Sequence, residues 1–282
     1  MTVHEAALPG VGSRFHRDPA LPFIEARAVP DGRRLCYARH SHESFSIGLV
    51  SHGHSTYLNG RQRTVVGAGT VVLMNPGDTH ACNPLRDTPW SYTMLYVDTP
   101  WLTALQHDAG CSRNEGFSAF ASIASRLPEL SAALHHVCTL LTTEPADVLQ
   151  KHAAIVAFFN VLQDRLGSPR PSTRHDTGKI QLAADYISDN WQQPLTLEDL
   201  CHVAHLSPSQ LIRAFNRHFH MSPHAYLVNR RVQQARSQLR TGVPIAQAAL
   251  NAGFADQAHL QRWFKKTLAT TPGHYQLRSN NR

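Results

Sequence analysis

The sequence predicts an α+β protein of two domains, a small antiparallel β barrel or sandwich with flanking helices and then an all-helical bundle. Three observations support this prediction. Short β-rich runs fill the first third of the chain, helical signals dominate the last third, and the proline- and glycine-containing stretch GSPRPSTRHDTG lies between them. With 282 residues, of which 42% are hydrophobic, the chain can bury two cores. We therefore expect domains at 1–170 and 179–282, joined by a linker at 171–178.

The expected strands are β-rich runs separated by turn signals. The runs are RLCYAR, SFSIGLV, STYL, RTVV, GTVVLMNPGD and WSYTMLYVD. Asn59-Gly60 stands between two of them, and this dipeptide is the strongest short signal for a hairpin. Short strands at this spacing are typical of a small antiparallel barrel or sandwich.

Two amphipathic helices are expected after the strands. Apolar residues recur there at helical spacing in two segments, first Leu130, Leu134, Val137 and Leu141, then Val148, Ile155, Phe159 and Leu162. Such helices would either cover the β domain or pair with a second copy of the chain.

The excess positive charge lies in the rear part of the chain. Residues 1–170 hold 14 of the 27 Lys and Arg and 14 of the 20 Asp and Glu, so 13 basic and 6 acidic residues fall in 171–282 and account for the net +7. No uncharged apolar run of about 18 residues is present to span a bilayer, and no secretory signal is visible. The five cysteines are scattered singly, as in a reducing compartment. We expect a cytoplasmic protein.

The rear part repeats itself at an offset of 49 residues. The offset aligns positions that keep the residue or its chemical type: Ser207 with Asp256, Leu211 with Leu260, Arg213 with Arg262, Phe215 with Phe264, Pro223 with Pro272 and Tyr226 with Tyr275. A shorter helix precedes each copy, in LEDLCHVAH and in IAQAALNAG. The repeat therefore predicts two helix-turn-helix units.

Capping boxes place the helices of the first unit. Thr196-x-x-Asp199 and Ser207-x-x-Gln210 predict helices at about 197–204 and 208–219. By the offset, the corresponding helix of the second unit covers 257–268.

The exposed faces of the two later helices carry side chains that suit DNA. With the Leu and Phe stripe buried, the opposite faces hold Ser209, Ile212, Arg213, Asn216 and Arg217 in the first copy and Gln257, Ala258, Gln261, Arg262, Lys265 and Lys266 in the second. Arg and Gln can bond base edges bidentately, while Arg217, Lys265 and Lys266 can bind phosphates. A simple solvated face is the alternative for any such helix, but the duplication, the preceding short helices and the concentrated charge favour DNA binding.

At these residues the chain resembles the AraC/XylS family of bacterial transcription regulators. The resemblance runs from about Ile180 to Gln276 and includes LTLEDL, LSPSQLIRAFNRHF, MSPHAYLVNRRVQQARSQLRTG, IAQAALNAGF and DQAHLQRWFKKTL. It implies a bundle of seven helices in which a long helix, here about 223–240, joins two helix-turn-helix units. Both recognition helices would enter successive major grooves of one duplex. His220 and Ala269 stand where the family has Gly after each recognition helix, and Gln276 stands where it has a basic residue.

The front part resembles the cupin-like effector domain of the same family, mainly over residues 35–98. We expect Arg39, His40, His42 and His80 to line an effector pocket. Imidazoles in this pattern can also ligate Zn, Fe or Ni, or serve as ordinary pocket and turn residues. Metal-binding cupins have a Glu a few residues after His-x-His, where this chain has Ser46 or Ile47, so we expect no metal and no cofactor.

The resulting hypothesis is an effector-responsive, sequence-specific transcription regulator and not an enzyme. It would act in the bacterial cytoplasm and lie at the nucleoid when bound to DNA. We expect a homodimer that forms through the helices around 130–165, and an activator that could contact RNA polymerase. Two rivals are a metal-dependent cupin enzyme with an accessory helical domain and a constitutive DNA-binding protein without a ligand.

Overall fold

The computed structural model describes residues 13–85, 88–109, 116–142, 148–167 and 177–277. Within these ranges the side chains of Ser209 and Arg213 lie outside the description, although both residues are helical. Residues 168–176, which include most of the expected linker, are also outside the described residues. We call the described part up to residue 167 the front domain and 177–277 the rear domain.

The front domain is built on antiparallel strands. Its described residues form β1 Arg14–Arg17, β2 Ile24–Val29, β3 Phe45–Asn59, β4 Gln62–Gly67, β5 Val71–Met74, β6 His80–Pro84, β7 Trp90–Val97 and β8 Ala124–Ser125. One sheet has the order β1-β2-β7-β3-β5-β8. A second sheet forms where β4 and β6 pair with the C-terminal half of β3. The long strand β3 therefore belongs to both sheets, and an irregularity between Val50 and His52 marks the change.

The strand predictions are partly confirmed. The hairpin at Asn59-Gly60 joins β3 to β4, with Gly60 at φ 56° as the turn requires. The runs SFSIGLV and STYL are one continuous strand, whereas RLCYAR forms no named strand and was wrongly predicted. The strands β1, β2 and β6 were not predicted, because each has only four to six residues, some of them charged or polar, and such runs give a weak strand signal.

Three helices cover the front sheet, α1 Thr99–Asp108, α2 Pro128–Thr142 and α3 Val148–Leu166. Leu130, Leu134, Ile155 and Phe159 pack in one cluster with strand residues such as Phe45. The apolar stripes of α2 and α3 therefore cover the β domain, which is one of the two roles expected for them.

The rear domain contains seven helices within its described residues. They are α4 Thr177–Asp189, α5 Leu197–Ala204, α6 Pro208–Phe219, α7 Pro223–Arg240, α8 Ile245–Asn251, α9 Gln257–Leu268 and α10 Pro272–Leu277. Both capping boxes form as predicted, with Asp199 bonded to Thr196 and Gln210 bonded to Ser207 in each direction. The predicted bounds of α5, α6, α7 and α9 are confirmed.

The two helix-turn-helix units have separate hydrophobic cores. Leu211 and Phe215 of α6 pack with residues of α4, α5 and Leu227. Leu260 and Phe264 of α9 pack with residues of α7, α8 and α10. The second core also takes in Phe15 from β1 of the front domain, whose ring meets Tyr275 edge-on at 4.9 Å. Within the described residues, no helix is long and apolar enough to cross a membrane.

Candidate nucleic-acid interface and effector pocket

The two recognition helices, α6 and α9, begin alike. The backbone N–H of Gln210 donates to Ser207 Oγ at 3.4 Å at the start of α6, and that of His259 donates to Asp256 Oδ1 at 2.6 Å at the start of α9. These bonds satisfy amides that would otherwise lack a partner at the helix N-terminus. Each helix is therefore held at the end that, in helix-turn-helix proteins, approaches the bases.

The faces opposite the two cores are open to solvent. The exposed side chains include Ile212, Asn216 and Arg217 on α6 and Gln257, Ala258, Gln261, Arg262, Lys265 and Lys266 on α9. The Nζ atom of Lys266 lies 4.7 Å from the ring centre of Trp263. Leu211, Phe215, Leu260 and Phe264 are fully buried, as the stripe predicted. The exposed residues form one accessible polar face on each helix.

Both recognition helices close in the left-handed backbone conformation. His220 follows α6 with φ 55° and Ala269 follows α9 with φ 48°. The family usually has Gly at these positions, and a residue with a Cβ costs up to about 1 kcal/mol there. This chain keeps the left-handed conformation at both positions without glycine, the residue that adopts it most easily.

The front domain contacts the C-terminal ends of both recognition helices. The hydroxyl of Thr79 donates to the carbonyl oxygen of Phe219, the last residue of α6. Arg27 Nη1 donates to the carbonyl oxygen of Leu268 at 2.8 Å, and the backbone N–H of Ala38 donates to the carbonyl oxygen of Lys266 at 3.1 Å. Carbonyls in the last turn of a helix lack partners within it and carry its negative end charge. Front-domain groups supply the missing donors while the polar faces stay exposed.

A buried ion network joins the domains beside these contacts. Glu25 of β2 accepts hydrogen bonds from Arg17 Nε at 2.5 Å, from Arg236 Nη2 of α7 at 2.6 Å and from the hydroxyl of Tyr275 of α10 at 2.9 Å. We call these four residues the Glu25 network. Burial opposes the charge of Glu25, but the charges and hydrogen bonds of Arg236 and Arg17 outweigh it and lower its pKa to about 2. The carboxylate is therefore ionised at neutral pH.

The front-domain segment 37–43 contacts the rear domain at several points. The Nδ2 atom of Asn229 on α7 donates to the carbonyl oxygen of Ser41 at 2.8 Å. Arg230, also on α7, forms an ion pair with Glu43. With the bond of Ala38 to α9, these contacts tie the segment to the connecting helix α7 and to the recognition helix of the second unit.

The same segment forms one wall of a pocket in the front domain. The lining side chains are Tyr37, His40, His42, Met74, His80, Cys82, Tyr92, Met94 and Tyr96, which we call the Tyr–His pocket. The space between them is about 330 Å³, counting the part open to solvent. Of the four expected pocket residues, His40, His42 and His80 line it, whereas Arg39 is exposed and does not.

The three histidines form a cluster. The ring centres of His40 and His80 are 4.4 Å apart and those of His42 and His80 are 4.7 Å apart. Among the described residues, no group of three or more His, Cys, Asp or Glu side chains is arranged so that it could hold a metal ion.

Two family models match the chain. The one described as an AraC-like ligand binding domain matches residues 29–159, and the one described as a helix-turn-helix domain matches residues 200–278. The chain belongs to the AraC/XylS family. It is therefore a transcription regulator, with a ligand-binding front domain and a DNA-binding rear domain, and the hypothesis of a cupin enzyme is set aside.

Relatives of this AraC/XylS regulator match it over most of its length. The arabinose operon regulatory protein of Salmonella typhimurium is 25% identical over 292 residues, covering 97% of both chains. The raffinose operon regulatory protein RafR of Pediococcus pentosaceus is 23% identical and covers 89% of this chain and 94% of its own. Among solved structures, apo ToxT of Vibrio cholerae has a TM-score of 0.60 at 14% identity, with 92% and 98% of the two chains covered. The last likeness concerns the fold.

The residues that join the two domains have little signal in the sequence. Tyr275 stood out through the repeat, but its partner Glu25 lies 250 residues away in the chain. Arg27 and Arg236 likewise have no spacing signal. The one available clue was the alternation in IEARAV, which marks Glu25 and Arg27 as neighbours on one face of β2.

Proposed function

We propose that this regulator reads two successive major grooves with α6 and α9, and that an effector in the Tyr–His pocket changes how the front domain holds those helices. The observation that carries the proposal is the contact of the front domain with the C-terminal ends of both helices, while their polar faces remain exposed. Successive major grooves are about 34 Å apart along a duplex. Two helices can enter both only when their mutual placement is fixed.

The base-reading roles stay with the residues chosen from the sequence. On α9 these are Gln257, Ala258, Gln261 and Arg262, all exposed. On α6 they are Ile212, together with Ser209 and Arg213, whose side chains lie outside the description. Asn216 lies on the same exposed face and belongs to the DNA-binding set. Arg217, Lys265 and Lys266 would bind phosphates. Exposure and charge support these roles, since Arg and Gln bond base edges and Lys binds phosphate oxygens.

The coupling would pass through residues that touch both the pocket and the rear domain. The guanidinium of Arg236 lies 4.4 Å from the ring centre of Tyr96, a pocket wall, and also binds Glu25. The guanidinium of Arg27 lies 5.8 Å from the ring centre of Tyr37, another wall, and binds the end of α9. A ligand that moves either tyrosine acts on an arginine that holds a helix. Effects of this kind are typically about 1–3 kcal/mol.

We further propose that the regulator acts as a homodimer and as an activator that contacts RNA polymerase at the nucleoid. The inner stripes of α2 and α3 pack on the sheet, so a dimer through 130–165 would use their outer faces, where Val148 is exposed. Light scattering of the purified protein measures the mass, and a monomer at micromolar concentration contradicts this part.

Footprinting on the DNA upstream of its own gene, with and without candidate metabolites, tests the proposal as a whole. We expect two protected patches one helical turn apart, and Arg262→Ala should remove only the patch of α9. The matched control is Arg165→Ala, on α3. A single patch, or protection that Arg262→Ala leaves intact, contradicts the two-groove assignment.

Two variants test the coupling between the effector pocket and the recognition helices. Thr79→Val and Arg27→Leu remove the donors to the ends of α6 and α9, and each should reduce the change in DNA affinity that an effector causes. Operator titrations with and without the effector measure that change. Both variants responding as fully as the unaltered protein would refute the coupling route.

A further inference from the structure

The tautomers of the pocket histidines can be assigned from their backbone contacts. The Nδ1 atoms of His40, His42 and His80 lie 2.9, 2.8 and 2.8 Å from the carbonyl oxygens of Ala38, Ser44 and Asp78. A carbonyl oxygen only accepts, so each Nδ1 carries the hydrogen. In a neutral imidazole the other nitrogen, Nε2, then has a lone pair and accepts.

All three imidazoles are neutral at physiological pH. Burial is the main cause, and it lowers the pKa of His40 to about 3, with help from the nearby His80. Burial also lowers the pKa of His80 and that of His42. The Nε2 atoms therefore remain acceptors.

Two of these acceptors are open to a ligand. His42 Nε2 accepts from the hydroxyl of Ser46 at 3.2 Å. Within the described residues, no side chain or backbone group bonds Nε2 of His40 or of His80, and both rings line the pocket. A ligand group that donates a hydrogen would satisfy them.

Charge around the pocket disfavours a cation. The guanidiniums of Arg27 and Arg236 stand behind Tyr37 and Tyr96, so a cation would be repelled. A carboxylate would face the lone pairs of the histidine Nε2 atoms. None of the lining side chains carries a formal charge at neutral pH.

A second, apolar cavity adjoins the pocket. That cavity measures about 270 Å³, again counting open space, and shares Cys82, Tyr92 and Met94 with the Tyr–His pocket. Its other lining side chains include Val66, Val72 and Trp90. The polar histidines therefore line one cavity, and an apolar cavity that includes Trp90 lies beside it.

We propose that the Tyr–His pocket binds a small uncharged molecule that donates a hydroxyl or N–H hydrogen to Nε2 of His40 or His80 and extends an apolar group towards Trp90. This proposal rests on the proposed function, since it names the class of effector for the same pocket. The donor group accounts for the two open acceptors, and the apolar group accounts for the second cavity.

Four probes with one skeleton separate the ligand classes. They are para-ethylphenol, an uncharged donor; para-ethylanisole, which lacks the donor; para-ethylbenzoate, an anion; and para-ethylbenzylammonium, a cation. Ligand-observed NMR titrations of the full chain measure affinity, and a fragment library sorted into the same four classes extends the comparison to other shapes. We expect the phenol to bind about tenfold more tightly than its methyl ether, and uncharged donors to dominate the library hits.

Variants locate the binding. His40→Phe and His80→Phe keep a ring but remove the acceptor, so each should weaken the phenol about tenfold, while His135→Phe, exposed on α2, should change nothing. If a variant fails to fold, the comparison of phenol with ether in the unaltered protein still decides. Preferred carboxylates or ammonium ions, no bound uncharged donor, binding unchanged in both variants, or stoichiometric metal in the purified protein would each overturn the proposal. Footprinting of the same samples shows separately whether the regulator itself binds DNA.

Discussion

Replacing Glu25 by Gln isolates the electrostatic contribution of the Glu25 network to domain contact. The change keeps the size of the side chain but removes the negative charge that Arg17 and Arg236 share. Those guanidiniums have side-chain exposures of 10% and 13%, so solvent cannot replace the lost partner. Breaking a buried pair in this way costs about 3–5 kcal/mol.

The pKa of Glu25 gives a second figure for the same loss. It falls from 4.5 to about 2 in the folded protein, and each pKa unit corresponds to about 1.4 kcal/mol, which makes roughly 3 kcal/mol. Because the folded value is depressed, this stabilisation is fully present above pH 4.5 and is lost as the pH falls towards 2. Between pH 6 and 8 the Glu25 contribution should therefore not vary.

Hydrogen exchange and urea unfolding measure the effect at pH 7. For Glu25→Gln we expect faster exchange in β1, β2 and α10, and a loss of about 3 kcal/mol in the free energy of separating or unfolding the domains. The matched control is Glu129→Gln, whose pair with Arg165 is 3.6 Å long and exposed, and it should cost less than about 1 kcal/mol. If both variants unfold at the same urea concentration with the same exchange pattern, the network does not hold the domains together.

Four further predictions concern DNA binding and stability. Arg262→Ala should weaken binding to the operator by about 1–3 kcal/mol in fluorescence anisotropy and leave scrambled DNA nearly unaffected, and an equal loss on both DNAs would assign Arg262 to phosphate. Lys265→Ala should weaken binding to both DNAs and reduce the slope of log affinity against log salt by about one, so an unchanged slope would exclude a phosphate contact. Lowering the pH from 6.5 to 5.5 should reduce the free energy of unfolding by about 1 kcal/mol through His40, because the unfolded chain, with the ordinary histidine pKa of 6.5, binds a proton that the folded protein, with a pKa of about 3, does not bind. His40→Phe should remove that part of the pH dependence in urea unfolding. An equal pH dependence in both proteins would argue against a neutral His40. Leu260→Ala, in a fully buried position, should cost about 2–5 kcal/mol and raise hydrogen exchange mainly in the second helix-turn-helix unit, whereas uniform loss of protection would contradict separate cores.

The rear domain was predictable because its signals are local. Capping boxes, the Leu and Phe stripe and the repeat at 49 each lie within one or two helices, and together they gave the bounds of four helices and their buried faces. Asp256 illustrates this: it takes the place of Ser207 in the repeat, and it caps α9 as Ser207 caps α6.

The contacts between the domains could not be predicted because they are not local. In β2, a pattern of charged and apolar residues normally marks a strand with one solvent face. Glu25 and Arg27 break that rule, since each is only 1% exposed under the rear domain. Likewise, His40 and His42 suggested a pocket from their spacing, but the tyrosines opposite them on β7 are brought there only by sheet pairing.

The position of Phe15 bears on how freely the two halves of such regulators can be recombined. Phe15 lies in the front domain, but its ring fills part of the core of the second helix-turn-helix unit and packs on Tyr275. A chimaera that gives the rear half a new front domain would remove this ring and leave a cavity of phenyl size, a defect of about 3–5 kcal/mol. The unit that keeps this core filled is therefore the rear half together with β1, although more than 150 residues separate the two along the chain.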